Sequence, residues 1–179
     1  MMKKTLLILA AALSGVLAAG AQTGREWQDP AVNEINRLPM RSSFAAGERL
    51  SLDGVLKFHW VRNASERPSG IGAVDYDDAA WGSMPVPGMW ELNGYGDPVY
   101  VNIGYAWRGN FRNDPPYVPD AENHVGSYRR TFDIPASWGG KDIFLSIGSA
   151  TSNVYVWVNG RFVGYSEDSK PVSYIHLRA

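Results

Sequence analysis

Apolar and polar residues begin to alternate after Asp53-Gly54, where Leu56, Phe58 and Trp60 are interleaved with Lys57, His59 and Val61. A period of two sends successive side chains to opposite faces, which predicts a half-buried strand. Three further runs have the same character. Tyr128, Arg130, Phe132 and Ile134 alternate, followed by Ile143, Leu145 and Ile147, and then by Val154, Val156 and Val158. Each is about as long as a typical strand. Asn159-Gly160 separates the last run from Arg161 to Tyr165 and predicts a two-residue type I′ hairpin, because that turn needs positive φ at both central positions. Two single helical turns are also predicted, one from Tyr76 to Trp81 leading into Met84 to Pro87, the other opened by Asp29-Pro30 and running through Ala31 to Asn36. Neither is long enough to form a layer. Short strands, turn residues and no amphipathic helix predict an all-β antiparallel sandwich in which two sheets share one core.

The ends of the chain have a different character. Lys3 and Lys4 precede an apolar run from Leu6 to Leu17, and Ala19-Gly20-Ala21 offers small residues before Gln22. This is the pattern of a secretory signal peptide over residues 1–21, cleaved near Ala21/Gln22, with an exported, periplasmic or secreted product. The apolar run is too short to predict a membrane span. Residues 22–50 are polar and weakly patterned, and are expected to form an arm that is extended or packs on something outside the domain. The sandwich is expected over 51–170.

Composition narrows the chemistry. The chain has no cysteine, which excludes disulfides, thiolate metal sites and a lipid anchor on a cysteine. The formal net charge is −1, and loss of Lys3 and Lys4 would make it more acidic. No basic tract follows, so nucleic acid is not an expected partner. His59, His124 and His176 lack metal-ligand spacing. Asp75, Asp77 and Asp78 do not fit a twelve-residue calcium loop, and a helix N-terminus explains them.

The stretch from Pro85 to Trp107 combines Trp90, Tyr95, Tyr100, Tyr105 and Trp107 with glycines and prolines and follows no steady period. An ordered, aromatic-lined loop is predicted. Sugar C–H faces stack on such rings, while hydroxyls need polar partners such as Asn93, Asp97 or Asn102. The alternative is that the rings cap a small core. Retaining glycoside hydrolysis needs two carboxyl groups about 5 Å apart. Glu91, Asp97, Glu167 and Asp168 are available, but no spacing pairs them, and no catalytic residue is assigned.

Taken in order, EWQDPAVNEINRLP, SLDGVLKFHWV, PVPGMWELNGYGDPVYVN, PPYVP, VGSYRRTFDIP and VNGRFVGYSEDSK resemble the opening domain of family 2 glycoside hydrolases of the β-galactosidase type. The resemblance spans roughly residues 25–170. It implies a galactose-binding-domain-like jelly roll, the sugar-binding domain, preceded by an arm used in subunit assembly. It also implies that both catalytic glutamates sit in a later (β/α)8 barrel, and that Mg and Na ions, where used, bind in regions absent here. No cofactor is expected in this chain. Its expected partners are β-galactosides and a catalytic barrel or other subunits. The family's Tyr-x-Asn segment matches Tyr100-Val101-Asn102, which assigns Asn102 to the galactosyl unit, with Tyr100, Trp90, Tyr95 and Trp107 as weaker contacts. An amide suits that role because it donates to one hydroxyl and accepts from another; the alternative is that Asn102 closes a turn. Beyond Lys170 the sequence PVSYIHLRA departs from the pattern, as a truncated or frame-shifted gene would. A divergent tail over 171–179 and a bare edge at Arg161 to Tyr165 are therefore expected.

Overall fold

The computed structural model describes residues 23–39, 47–98, 114, 116–167 and 173–177. The segment expected to be a signal sequence, 1–21, together with Tyr100, Asn102, Tyr105 and Trp107, lies outside the described residues. The fold is all-β and antiparallel. Its strands are β1 (Glu34–Ile35), β2 (Gly54–Val61), β3 (Gly82–Val86), β4 (Val125–Arg129), β5 (Phe144–Ile147), β6 (Asn153–Val158), β7 (Arg161–Glu167) and β8 (Ser173–His176). Among the described residues they form three ladders, ordered β3-β2-β4, β1-β7-β6 and β5-β8. Among the described residues the helical content consists of single 3₁₀ turns.

Strand β2 follows its alternation in the middle, with Phe58 buried and Lys57 exposed, but not at its end, where Val61 on the opposite face is buried and Trp60 only half-buried. Its partners are set by register, with Leu56 opposite Met84 and Phe58 opposite both Gly82 and Tyr128. Phe58 and Met84 are fully buried, as are Tyr165 and Ile175 in the other ladders, and each such side chain contributes about 1.5–3 kcal/mol of hydrophobic stabilisation. Between β5-β8 and β6-β7, Val156, Val163 and Ile175 form a core with Leu145, Ile147, Val154, Val158 and Leu177 packed around it. The hairpin forms as predicted, with φ of 50° at Asn159 and 84° at Gly160.

Four local expectations are corrected. Residues 76–81 form turns, not a helical turn: the Asp77 carboxylate accepts from the Ala79 N–H at 2.9 Å, and the Asp78 carbonyl accepts from the Trp81 N–H at 3.1 Å. The turn predicted to run to Asn36 gives way to β1, preceded by a 3₁₀ turn at Glu26–Gln28. Strand β4 starts at Val125 and stops at Arg129, so Phe132 and Ile134 lie beyond it. There the Arg130 guanidinium donates to the carbonyls of Leu52 and Asp53 at 2.6 and 2.8 Å.

The fourth correction concerns the arm and the tail. Residues 23–39 pack on their own domain: Glu34 and Ile35 pair with Ser166 and Tyr165, and the Asn36 amide donates to the Val163 carbonyl at 2.6 Å. The edge expected to be bare is therefore partly covered, which blunts its capacity to template another strand. Within the segment read as divergent, Ser173–His176 forms β8, paired residue by residue with β5.

Candidate functional site: an anchored aromatic loop

Two of the sequence-predicted site residues, Trp90 and Tyr95, are brought together on the β3-β2-β4 sheet. Strand β3 ends at Val86, and Gly88 then passes so close to the backbone that a Cβ there would sit 2.4 Å from the Pro85 carbonyl oxygen. Trp90 opens a 3₁₀ turn, Glu91–Asn93, closed by Gly94 at φ 86°. The left-handed conformation explains the glycine. The Trp90 carbonyl accepts from the N–H groups of Asn93 and Tyr95 at 2.8 and 3.0 Å, folding the loop back so that both rings reach Phe58.

Phe58 is the hub. Its ring centroid lies 4.7 Å from Tyr95 in an edge-to-face arrangement, 4.7 Å from Tyr128 and 6.0 Å from Trp90. Such pairs add about 0.5–1.5 kcal/mol beyond area burial. The Trp90 indole N–H donates to the Tyr128 hydroxyl at 2.5 Å. Burial pushes the Tyr128 hydroxyl above its ordinary pKa, with the Trp90 N–H acting in the opposite direction.

Sequence reasoning missed the floor beneath these rings. At Gly126 a Cβ would stand 2.3 Å from Trp90 and 2.8 Å from Phe58, and at Gly82 it would meet the Tyr95 hydroxyl at 3.0 Å. The available signal was glycine inside a strand pattern, in Val125-Gly126-Ser127-Tyr128, which marks a close approach.

The loop's rim is apolar and polar by turns. Met89 and Leu92 are 62% and 81% exposed, with Glu91, Asn93 and Asp97 also at the surface. The Asn93 amide donates to the Met89 carbonyl at 2.8 Å, so it braces the turn. Beyond Pro98 the sequence continues into the segment carrying Tyr100, Asn102 and Trp107. These contacts give Trp90 and Tyr95 a packing role on the sheet, and both stay half-buried.

Two other acids are held by arginines, and Asp168 lies outside the described residues. Asp78 pairs with Arg129 at 3.0 Å, and Glu122 with Arg62 at 2.8 Å. The hydrogen bond from Arg62 lowers the Glu122 carboxyl pKa, opposed by desolvation and aided by the charge of Arg62. Among the described residues no cluster of three or more His, Asp or Glu could hold a metal ion, and no helix is long and apolar enough to cross a membrane. Glu26, which the sequence pattern did not single out, is 4% exposed and accepts from the Tyr155 hydroxyl at 2.8 Å.

Residues 50–178 match the family described as glycosyl hydrolases family 2, sugar binding domain. The match includes the anchored loop and β8. The chain is 39% identical over 155 residues to a β-galactosidase of Halalkalibacterium halodurans, covering 79% of this chain and 15% of that protein. It is 41% identical over 119 residues to a β-galactosidase of Priestia megaterium, covering 66% and 12%. With a β-galactosidase large subunit of Leuconostoc lactis the identity is 35% over 172 residues, covering 83% and 28%. The chain thus spans less than a third of the length of these relatives. By this match, and by the antiparallel sheets that carry it, the chain belongs to glycosyl hydrolase family 2 through its sugar-binding domain.

Proposed function

We propose that this chain supplies one wall of a β-galactoside pocket, placing Asn102 against the galactosyl unit, while a catalytic barrel met in cis or in trans provides the two carboxylates. The observation that carries this reading is the family match over residues 50–178, within which the braced turn at 90–96 comes just before Tyr100-Val101-Asn102 in the sequence. A wall of this kind contributes by positioning. Orientation lowers a barrier by several kcal/mol only when the reacting groups are present. The large-subunit name of the Leuconostoc lactis relative favours assembly with a partner over an independent carbohydrate-binding module. So do the contacts of Trp90 and Tyr95, which commit ring surface to Phe58 that a free sugar platform would expose. Lys3-Lys4, the apolar run to Leu17 and Ala19-Gly20-Ala21 support action outside the cytoplasm.

The test has two arms. The chain alone is expected to show no heat of binding with lactose and no turnover of a nitrophenyl galactoside. Mixed with a β-galactosidase lacking its own opening domain, it is expected to restore turnover, and Asn102→Ala in the added chain to lower kcat/KM by roughly tenfold or more, the cost of an unmade hydrogen bond to a charged or polarised partner. Unaided turnover by the chain would overturn the proposal, as would full restoration by the Asn102→Ala chain.

A further inference from the structure

Residues 23–37 form a strap that crosses the domain, and its deepest point is an acid. Glu26 is buried, and each of its carboxylate oxygens already faces a donor: Oε1 accepts from the Thr23 N–H at 2.5 Å and Oε2 from the Tyr155 hydroxyl of β6 at 2.8 Å. The cations nearby are directed elsewhere. Arg25 reaches Gln28 and Asp120, both at 3.4 Å; Arg67 donates to the carbonyls of Ala64 and Gly24 at 2.6 and 2.9 Å; Arg37 serves Glu34 and Ser166. From β7 the group is approached by Tyr165, whose ring centroid lies 4.6 Å from that of Tyr155, with Glu167 further along the same strand. The Glu26 carboxylate is therefore held by neutral donors. Charge-assisted hydrogen bonds of this kind are about twice as strong as neutral ones.

A proton on Oε1 would face the Thr23 N–H, which can only donate, and one on Oε2 would have to reverse the hydrogen bond with the Tyr155 hydroxyl; either removes the charge that strengthens both contacts. The rest of the strap lies on the β7 edge through the β1 pairing, the Glu167 N–H donating to the Asn33 carbonyl at 3.0 Å, and the Asn36 amide on Val163. We propose that Glu26 is a proton-operated latch: ionised, it keeps residues 23–37 seated on β6 and β7, and protonated, it releases them and uncovers the β7 edge. The electrostatics agree. Burial alone would raise the Glu26 pKa, but hydrogen bonds from Tyr155, from the backbone N–H groups of Glu26 and Thr23, and from the Thr23 hydroxyl hold it below the usual 4.5. The latch is thus closed at neutral pH and opens as pH falls through that lowered value.

Amide hydrogen exchange on the full chain, corrected for the intrinsic pH dependence of exchange, tests this. Protection at Ile35 and Glu167 is expected to fall roughly tenfold between about pH 6 and about pH 3, while Phe58 and His59 in β2 stay protected. Glu26→Gln should show the low strap protection at both pH values. Tyr155→Phe keeps the carboxylate and removes one donor, so it should move the release to higher pH. Strap protection that is flat with pH, simultaneous loss of strap and β2 protection, or a Tyr155→Phe profile that coincides with the parent chain would overturn the proposal.

Discussion

Gly126 is the position where one methyl group reports on the anchoring of the whole aromatic loop. In a strand, Gly→Ala ordinarily stabilises by about 0.5–1 kcal/mol, because glycine loses more backbone entropy on folding. Here the added Cβ would lie 2.3 Å from one Trp90 ring carbon and 2.8 Å from another, and 2.8 Å from the Phe58 ring. Neither ring can retreat freely, since Trp90 is tied to Tyr128 and Phe58 is fully buried between Tyr95 and Tyr128. Overpacking of this kind costs about 1–3 kcal/mol, which outweighs the entropic gain. Gly126→Ala is therefore expected to destabilise, lowering the unfolding midpoint by a few degrees at roughly 2–4 °C per kcal/mol. The sharper statement concerns coupling. Trp90→Ala alone loses a half-buried ring and its hydrogen bond, roughly 2 kcal/mol, yet it also empties the space that the methyl added by Gly126→Ala would occupy. In a double-mutant cycle read by urea unfolding, the pair should cost less than the sum by about 1 kcal/mol or more. An additive cycle, or a Gly126→Ala chain at least as stable as its parent, would refute the claim that Trp90 packs on this floor.

Three further outcomes are expected. Arg129→Lys should destabilise by roughly 1–3 kcal/mol in urea titration, because the guanidinium joins Asp78 and the carbonyls of Ile71 and Ala73 and lies 5.3 Å over the Tyr76 ring, a set that a single ammonium cannot reproduce. Gly160→Ala should cost about 1–3 kcal/mol through backbone strain at φ 84°, although the Cβ itself would meet Val74 at an ordinary 3.6 Å; thermal unfolding unchanged from the parent would count against the type I′ turn. Glu26→Gln should change its stability gap to the parent with pH in one direction only. Since the folded carboxyl titrates below its unfolded value, the gap should be fullest above about pH 4.5 and shrink as pH falls through the folded value. A gap constant down to about pH 3 in urea midpoints would contradict that sign.

What could be read from the sequence, and what could not, follows the range of the interactions involved. Asn159-Gly160 was legible because the requirement for positive φ is satisfied by two adjacent residues, and β2 was legible because alternation is a property of the strand itself. Strand β1 was not. Its two residues sit in a polar segment and exist as a strand only because β7, some 130 positions later, offers an open edge. The acids at 77 and 78 suggested a helix start, but Arg129 on β4 captures Asp78, and Asp77 closes a turn instead. The aromatic loop divides in the same way. Residue type alone marked Trp90 and Tyr95 as loop aromatics, whereas the direction they face depends on Gly126 and Gly82 being small on two other strands. That dependence bears on the proposed sugar site. A pocket wall must hold its contacts to within about half an ångström, and a loop rich in glycine would not do so unaided. The Phe58 hub and the glycine floor beneath it supply the rigidity at residues 90–96, only a few positions before Asn102, so a wall built on this loop takes its placement from the sheet. Overfilling the floor with Gly126→Ala, which must displace Trp90, should therefore reduce complemented turnover even though Gly126 belongs to the strand beneath the loop, and should do so through kcat/KM on galactosides.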